Sequence, residues 1–509
     1  MRAMVASEIT MASAPPSGVP IGQLLIDGEF RDSANSGTFE VRNPATGQVL
    51  SRAALGTIDD ARAAVEAAER AFPAWAAMPA SERGEILVRA GQLVLAHVEE
   101  IARIVTLEEG KALAEARGEV RQAYATIMYF AGEGRRLTSN VVPSDQRDKL
   151  TFSLRRPLGV AAIITPWNFP SMIPMWNICP ALVSGNAVVH KPASYTPLTA
   201  FRFAQLFAEA GIPKGVFNFV TGPGGKIGDA LAQHPDVDVL AFTGETMTGR
   251  HLAEINARFL RRQVLELGGK NPMIVAADAP LEATVTSALW SAFSNAGQKC
   301  TAASRIIVEA PVLEKFTEAF VAATRKLRVG NGLAPGTEVG PLVDASGLEK
   351  VQKYVQYGLD EGAQLLTGGH RLTDEGRAAG HFHEPTIFSG TNAMRIAQDE
   401  IFGPVTVLIP ADDLDHAVTL ANDVRYGLAS AIYTKDVRSA LRAVERMEAA
   451  VTFVNHGPVG IEVQAPFGGT KDSGFGRELG EAGIEDYTEK KTVYLDYSYA
   501  KQPWYYPWA

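Results

Sequence analysis

Apolar residues recur at i, i+3 and i+4 from about Asp59 to Arg136, as in Ala61-Arg62-Ala63-Ala64-Val65-Glu66-Ala67-Ala68 and Gly84-Glu85-Ile86-Leu87-Val88-Arg89-Ala90. That period puts one apolar stripe along each of a run of helices. After Pro143 the pattern changes to short apolar runs separated by helix-length connections, at 159–165, 187–190, 216–220, 239–242 and 264–267. Such runs predict buried parallel strands of an open α/β sheet. A second alternating block extends from Pro272 to about Asn455, with strands expected at 273–275, 305–308, 405–409 and 450–454. Two further extended segments, 150–156 and 492–497, fit neither block. They predict an arm that pairs with another subunit, the plainer alternative being a small hairpin folded back on its own chain.

Composition narrows this picture without redrawing it. A chain of 509 residues exceeds one ordinary core, so two or three domains are expected. A hydrophobic share of 46% and a charged share of 21% are those of a soluble globular protein. The formal charge of −9 argues against nucleic acid or an anionic membrane as the main partner. No apolar run approaches the roughly 18 residues of a membrane span. Two cysteines, Cys179 and Cys300, cannot build a disulfide framework, and no Cys/His cluster has zinc-ligand spacing, so no metal is expected. A reducing compartment, the cytoplasm, fits best. Residues 1–20 mix Ala, Ser, Pro and Gly without a signal peptide's apolar stretch and read as a disordered arm.

Five segments carry candidate chemistry. Cys300 closes the run Phe293-Ser294-Asn295-Ala296-Gly297-Gln298-Lys299-Cys300, whose polar and small residues suit an element boundary. A neighbouring cation and nearby N–H groups there would favour a thiolate, although a lone cysteine is more often an inert core residue. Thr165-Pro166-Trp167-Asn168-Phe169-Pro170 follows a strand and sets Asn168 at its C-terminal end, where ligands of open α/β sheets bind. Its amide can donate to a developing oxyanion, or satisfy its own turn. Lys191 also ends a strand, within reach of ribose or phosphate or simply solvated. Phe242-Thr243-Gly244-Glu245-Thr246-Met247-Thr248-Gly249 ends a third strand and opens a helix, whose N-terminus attracts pyrophosphate. The motif is weak alone, and Glu245 opposes a phosphate. Glu266, between Leu265 and Leu267, is expected to be desolvated and so poised as a general base, or else paired with Lys270 or an arginine. Together these supply a nucleophile, an oxyanion donor, a base and a dinucleotide surface, the set for acyl chemistry through a thioester.

With these motifs the chain resembles the aldehyde dehydrogenase superfamily. The matching stretches are Pro166-Trp167-Asn168-Phe169-Pro170, Lys191-Pro192-Ala193, Phe242-Thr243-Gly244, Leu265-Glu266-Leu267-Gly268-Gly269-Lys270 and Gly297-Gln298-Lys299-Cys300. Glu400-Ile401-Phe402-Gly403-Pro404 and Pro466-Phe467-Gly468-Gly469 with Ser473-Gly474-Phe475-Gly476-Arg477-Glu478 also match. The resemblance implies an α/β fold with a Rossmann-type NAD(P)-binding domain over 21–139 and 159–267 and a catalytic domain over 268–478. An oligomerisation arm and C-terminal tail would occupy 140–158 and 486–509, in a homodimer or homotetramer. It implies that Cys300 attacks a small-molecule aldehyde, that Asn168 and the Cys300 N–H hold the oxyanion, and that Glu266 activates the hydrolytic water. Glu478 would join the catalytic set. Thr165, Pro166, Trp167, Lys191, Ser194, Phe242, Gly244, Glu245, Gly249, Leu267, Gly268, Glu400 and Phe402 would bind the cofactor.

Three departures from the family pattern bear on function. Ser194 replaces the glutamate that many NAD-preferring members use to repel a 2′-phosphate, so NAD or NADP is permissible. Glu245 stands for the usual serine beside pyrophosphate. Asn177 stands where many members have a lysine suggested to relay protons with the glutamate matching Glu478, so that relay is unavailable. For the substrate pocket the expected residues are Trp176, Lys299, Thr301, Ile461 and Phe467. An aromatic lining favours uncharged aldehydes. The run around Cys300 also resembles ketoglutarate-semialdehyde enzymes, with Lys299 or Arg121 then meeting a distal carboxylate. A coenzyme-A-acylating enzyme and a non-catalytic member are further alternatives, against which Cys300, Glu266 and Asn168 are all present. The aromatic tail 502–508 is expected to dock on a neighbouring subunit.

Overall fold

The computed structural model describes residues 22–374, 376–501 and 505–506. Expectations for residues 1–20 and for most of the aromatic tail fall outside the described residues. The helical region resolves into Ile58–Ala77, Ala80–Ala96, Val98–Glu109 and Leu113–Glu133. Local chemistry sets the breaks between them. Thr57 and Asp60 form a reciprocal capping box at the first N-terminus, and Gly110, at φ 105°, ends the third helix in a conformation that costs other residues more.

The strands expected between 159 and 267 form the parallel centre of an eight-stranded sheet. Its order is Glu29–Arg31, Leu24–Ile26, Phe217–Phe219, Ala187–Lys191, Val160–Ile164, Val239–Thr243, Arg262–Glu266 and Gly474–Phe475. The five central strands are parallel and the remaining pairings antiparallel. Strand order reverses at Val160–Ile164, which lies between Ala187–Lys191 and Val239–Thr243. A crevice at such a switch point is where doubly wound sheets bind ligands. The N-terminal hairpin strands and Gly474–Phe475 escape the periodicity argument because each is only two or three residues long. Gly474–Phe475 also differs from the expected boundary: it sits within 268–478, yet it pairs with Arg262–Glu266 of the first sheet.

The second block builds a seven-stranded sheet in the order Gln364–Thr367, Thr386–Ser389, Val405–Ala411, Ala303–Glu309, Asn271–Val275, Ala429–Tyr433 and Val451–Val454. The link Leu267–Lys270 joins the two sheets, so the C-terminal ends of the first face the second across a cleft. Segments 150–156 and 492–497 belong to Lys149–Pro157 and Thr488–Asp496, which pair antiparallel from Pro157↔Thr488 to Lys149↔Asp496. With Val141–Val142 they make a separate three-stranded sheet. Its edge strand Thr488–Asp496 has one partner and displays Tyr494, 78% exposed.

Candidate active site

Cys300 follows the helix Leu281–Phe293 and a short 3-10 turn, Ser294–Gly297. Asn295 and Ala296 adopt φ 52° and 51° there, and Gly297 φ 70°. Two non-glycine residues in the left-handed region are uncommon, and such turns persist where the surroundings over-determine them. Here they do. Glu115 accepts from Asn295 N, and Gln298 bonds Asn295 O, Pro341 O and Val343 N. Asn271 Nδ2 then holds the Cys300 carbonyl at 2.7 Å.

The thiol opens on a cavity of about 360 Å³ between the two sheets. Of the sequence candidates, Pro166, Trp167, Asn168, Gly244, Glu245, Glu266, Leu267, Gly268, Cys300, Glu400 and Phe402 line it. Burial pushes the Cys300 thiol up, and the carboxylates of Glu400, Glu266 and Glu478 add to that. This corrects the expectation of a thiolate favoured by Lys299. The Lys299 ammonium donates to Trp290 O at 2.9 Å and to Ser294 Oγ, inside the protein. The bond from the cysteine's own N–H works in the thiolate's favour and is the smallest influence.

Asn168 is buried, with Nδ2 donating to Gln298 O at 3.0 Å. An amide nitrogen carries two protons, so one remains for a ligand oxygen beside the sulfur. Glu266 is buried, and neither of its oxygens has a hydrogen-bond partner among the described residues. Desolvation raises its pKa well above the ordinary carboxylate value, and Glu478 raises it further. The pair with Lys270 that the sequence also allowed is not formed; that ammonium too has no partner among the described residues. Glu478 lies outside the cavity lining. Its Oε1 accepts from Asn177 Nδ2 at 2.5 Å and from Thr243 Oγ1 at 3.1 Å. Tyr487 donates to Asn177 Oδ1 at 2.7 Å, so the asparagine in the lysine's place hands a neutral hydrogen bond to Glu478. Burial lifts Glu478 to about 7.

The other end of the cavity suits a dinucleotide. Glu400 Oε1 accepts from Gly269 N at 3.0 Å, and its second oxygen lies over Gly268, where a Cβ would come within 2.4 Å. Phe402, at φ 58°, sets its ring edge-on to Trp167 at 5.5 Å. Gly244 and Glu245 precede the helix Thr246–Ala257. Glu245 is its exposed N-cap residue and makes no side-chain cap bond, so its carboxylate can turn to the rim. Gly249 lies deeper, where a Cβ would meet Leu267 at 2.4 Å; its smallness lets the helix close on the strand. Phe242 packs beneath Gly244. Thr165, Lys191 and Ser194 stand behind the lining: Thr165 Oγ1 meets His190 Nε2 at 2.9 Å, Lys191 Nζ donates to Pro192 O at 2.8 Å, and Ser194 Oγ donates to Gly222 O at 3.0 Å. Burial lowers Lys191 to about 8.

On the opposite side of Cys300, Trp176 and Phe467 pack at 5.2 Å, within an apolar cluster that Cys300 and Ile461 also touch. Thr301 is buried beside the cysteine, and Arg121 is exposed.

Sequence reasoning missed two groups. Tyr195 donates to Asp344 at 2.7 Å and, with Lys350, closes the rim of the cavity. Buried Lys111 and Glu119, with half-buried Glu115, form a charge cluster under Asn168 and Asn295. Of these only Lys111 had a signal in the chain, since Glu108-Glu109-Gly110-Lys111 sets three charges around the glycine that ends a helix.

A thiol, an amide donor and a desolvated carboxylate thus meet in one cavity at the switch point of the first sheet. The model of the Aldehyde dehydrogenase family matches residues 30–493, and the chain belongs to that family, the NAD(P)-dependent oxidoreductases that act on aldehydes. It is 41% identical to the alpha-ketoglutaric semialdehyde dehydrogenase of Bacillus subtilis (strain 168), over 92% of this chain and 97% of that one. It is 42% identical to the NADP(+) succinate-semialdehyde dehydrogenase GabD of Escherichia coli (strain K12), over 92% and 96%. The structure of betaine aldehyde dehydrogenase (betB) from Staphylococcus aureus in complex with NAD+ superposes with a TM-score of 0.93 at 36% identity, covering 95% of this chain and 97% of that chain.

Proposed function

We propose that this protein oxidises an uncharged aliphatic or aromatic aldehyde to its carboxylic acid, using NAD or NADP, through Cys300. The observation that carries the reading is the convergence of Cys300, Asn168 and Glu266 on one cavity. The Cys300 thiol gives up its proton to solvent in the cavity as its sulfur adds to the aldehyde carbonyl, and the Asn168 amide and Cys300 N–H stabilise the resulting oxyanion. Trp167, Gly244, Gly268, Glu400, Phe402 and Lys191 would hold NAD or NADP, which when bound would supply the hydride acceptor. Glu266 then takes a proton from water as the water attacks the thioester, releasing acid and free thiol. Glu478 is the adjacent buried carboxyl able to take that proton on. Ser194 carries no carboxylate to repel a 2′-phosphate, which supports use of both cofactors.

The apolar cluster of Trp176, Phe467 and Ile461 beside Cys300, with the Lys299 ammonium bonded internally, supports a neutral substrate. A second reading, an ω-semialdehyde, is favoured by the two semialdehyde dehydrogenases at 41% and 42% identity. We further propose that the domains divide near residue 267, that the sheet of Lys149–Pro157 and Thr488–Asp496 joins subunits of a homo-oligomer, and that the protein works in the cytoplasm. No described helix is long and apolar enough to cross a membrane.

Initial rates of reduced-cofactor formation over an aldehyde panel, with NAD and NADP and with or without coenzyme A, test the reading. Neutral aldehydes are expected to have the highest kcat/KM, without any need for coenzyme A. Preference for a semialdehyde would move the assignment to the second reading, and dependence on coenzyme A would overturn the hydrolytic role of Glu266.

A further inference from the structure

Beneath the Asn168 turn lies a buried ion pair that the reaction above leaves unused. Lys111 and Glu119 are 1% and 5% exposed. The Lys111 ammonium donates to Glu119 Oε2 at 2.6 Å and to the backbone carbonyl of Asn168 at 2.6 Å, and it lies 4.0 Å from the centre of the Phe169 ring. The second oxygen of Glu119 accepts from Ser171 N at 2.8 Å, Ser171 Oγ at 2.7 Å and Met172 N at 3.3 Å. One pair therefore holds both ends of the segment 168–172. From the nucleophile's own turn, Asn295 Nδ2 donates to the same Asn168 carbonyl at 3.0 Å.

Taking two charges out of water is costly, and an apolar pair of similar size often serves stability as well or better. Stability alone is thus a weak reason for an ion pair in this place. Burial works against the ammonium, but Glu109 and Glu119 outweigh it and hold Lys111 above its ordinary pKa. The charge is kept, and besides Glu119 it grips one backbone carbonyl, that of Asn168. Fixing that carbonyl fixes the peptide plane from which the Asn168 side chain departs, and oxyanion donors act only when aimed.

We propose that Lys111 is a positioning residue: by gripping the Asn168 carbonyl, with Glu119 anchoring the far end of the turn, it aims the Asn168 amide at the oxygen of the aldehyde bound to Cys300. Lys111 does not itself touch the substrate. This inference rests on the reading of Asn168 as the oxyanion donor.

The test uses the whole enzyme with NAD and its best aldehyde. Three quantities are measured: the single-turnover rate of hydride transfer, the rate at which iodoacetamide alkylates Cys300, and the thermal midpoint. Alkylation builds no oxyanion, so it reports on the thiol alone. Lys111→Met is expected to slow hydride transfer about 100-fold, as a misplacement near 1 Å does, with alkylation unchanged. The double variant Lys111→Met/Asn168→Ala is expected to be no slower than Asn168→Ala, because the lysine acts through the asparagine. Additive slowing, or equal losses of alkylation and hydride transfer, would overturn the proposal. Normal hydride transfer in Asn168→Ala would instead remove the oxyanion reading on which it stands. Should Lys111→Met not fold, Glu119→Gln carries the same double-variant comparison, since it keeps an acceptor for Ser171 and removes the charge opposite Lys111.

Discussion

Glu266 and Glu478 show how one buried environment sets two different tasks. Desolvation dominates at Glu266, outweighing the opposing pull of the Arg477 charge and the Gly469 N–H, and the carboxylate is a strong base once ionised. Replacing it with glutamine should spare the first turnover and stall the second. Stopped-flow mixing of Glu266→Gln with aldehyde and cofactor is expected to show a full burst of reduced cofactor, followed by a steady rate lower by about 10²–10⁴. Loss of the burst itself would mean that Glu266 acts before the thioester. Glu478 offers a thermodynamic check. Its folded pKa of about 7 exceeds the ordinary 4.5, so the folded protein binds the extra proton and loses stability as pH rises between those values. Glu478→Gln removes that dependence. The stability of the variant relative to the parent should climb by about 3 kcal/mol between those limits and stay flat outside them, as urea unfolding at several pH values would show. Glu266 was legible in the sequence because apolar neighbours surround it, and Glu478 only through the motif that matches the family. Their hydrogen-bond partners were not, because Asn177, Thr243 and Tyr487 lie far from Glu478 along the chain.

At the scale of elements, strand ends deliver most of the chemistry and one helix N-terminus closes the rim. Asp344 caps the helix Ala345–Asp360 by accepting from Gly347 N at 2.8 Å, and it also takes the Tyr195 hydroxyl from across the cleft. Asp344→Ala is expected to cost about 1 kcal/mol in chemical denaturation through the lost cap. Tyr195→Phe, which leaves the cap intact, should cost less. Equal losses would mean that the cross-cleft bond, rather than the cap, carries the stability. The central strands were readable because both faces are buried and their apolar runs are continuous. Gln364–Thr367 is an edge strand with no buried residue, and the pattern gave no sign of it.

For the molecule as a whole, the open question is what covers the three-stranded arm. Val141, Leu154, Tyr494 and Leu495 are 71%, 46%, 78% and 47% exposed on this small sheet, more apolar surface than a free edge usually shows. If a second copy covers it, Tyr494→Asp with Leu495→Lys should lower the mass in solution, read by light scattering, with each subunit still folded. An unchanged mass would place the subunit contact elsewhere.

The order of apolar runs and the chemical types in the matching motifs were enough to identify the two α/β blocks and the family. These depend on local spacing, and spacing survives in a linear text. Only the tertiary structure decided where charges point. It turned the Lys299 ammonium inward to Trp290 and Ser294, buried Glu266 away from the Lys270 ammonium, and put Lys111 under Asn168. Each of these outcomes depends on which distant segments pack together, since a buried charge takes the partner that packing brings to it, whichever residue stands beside it in the chain.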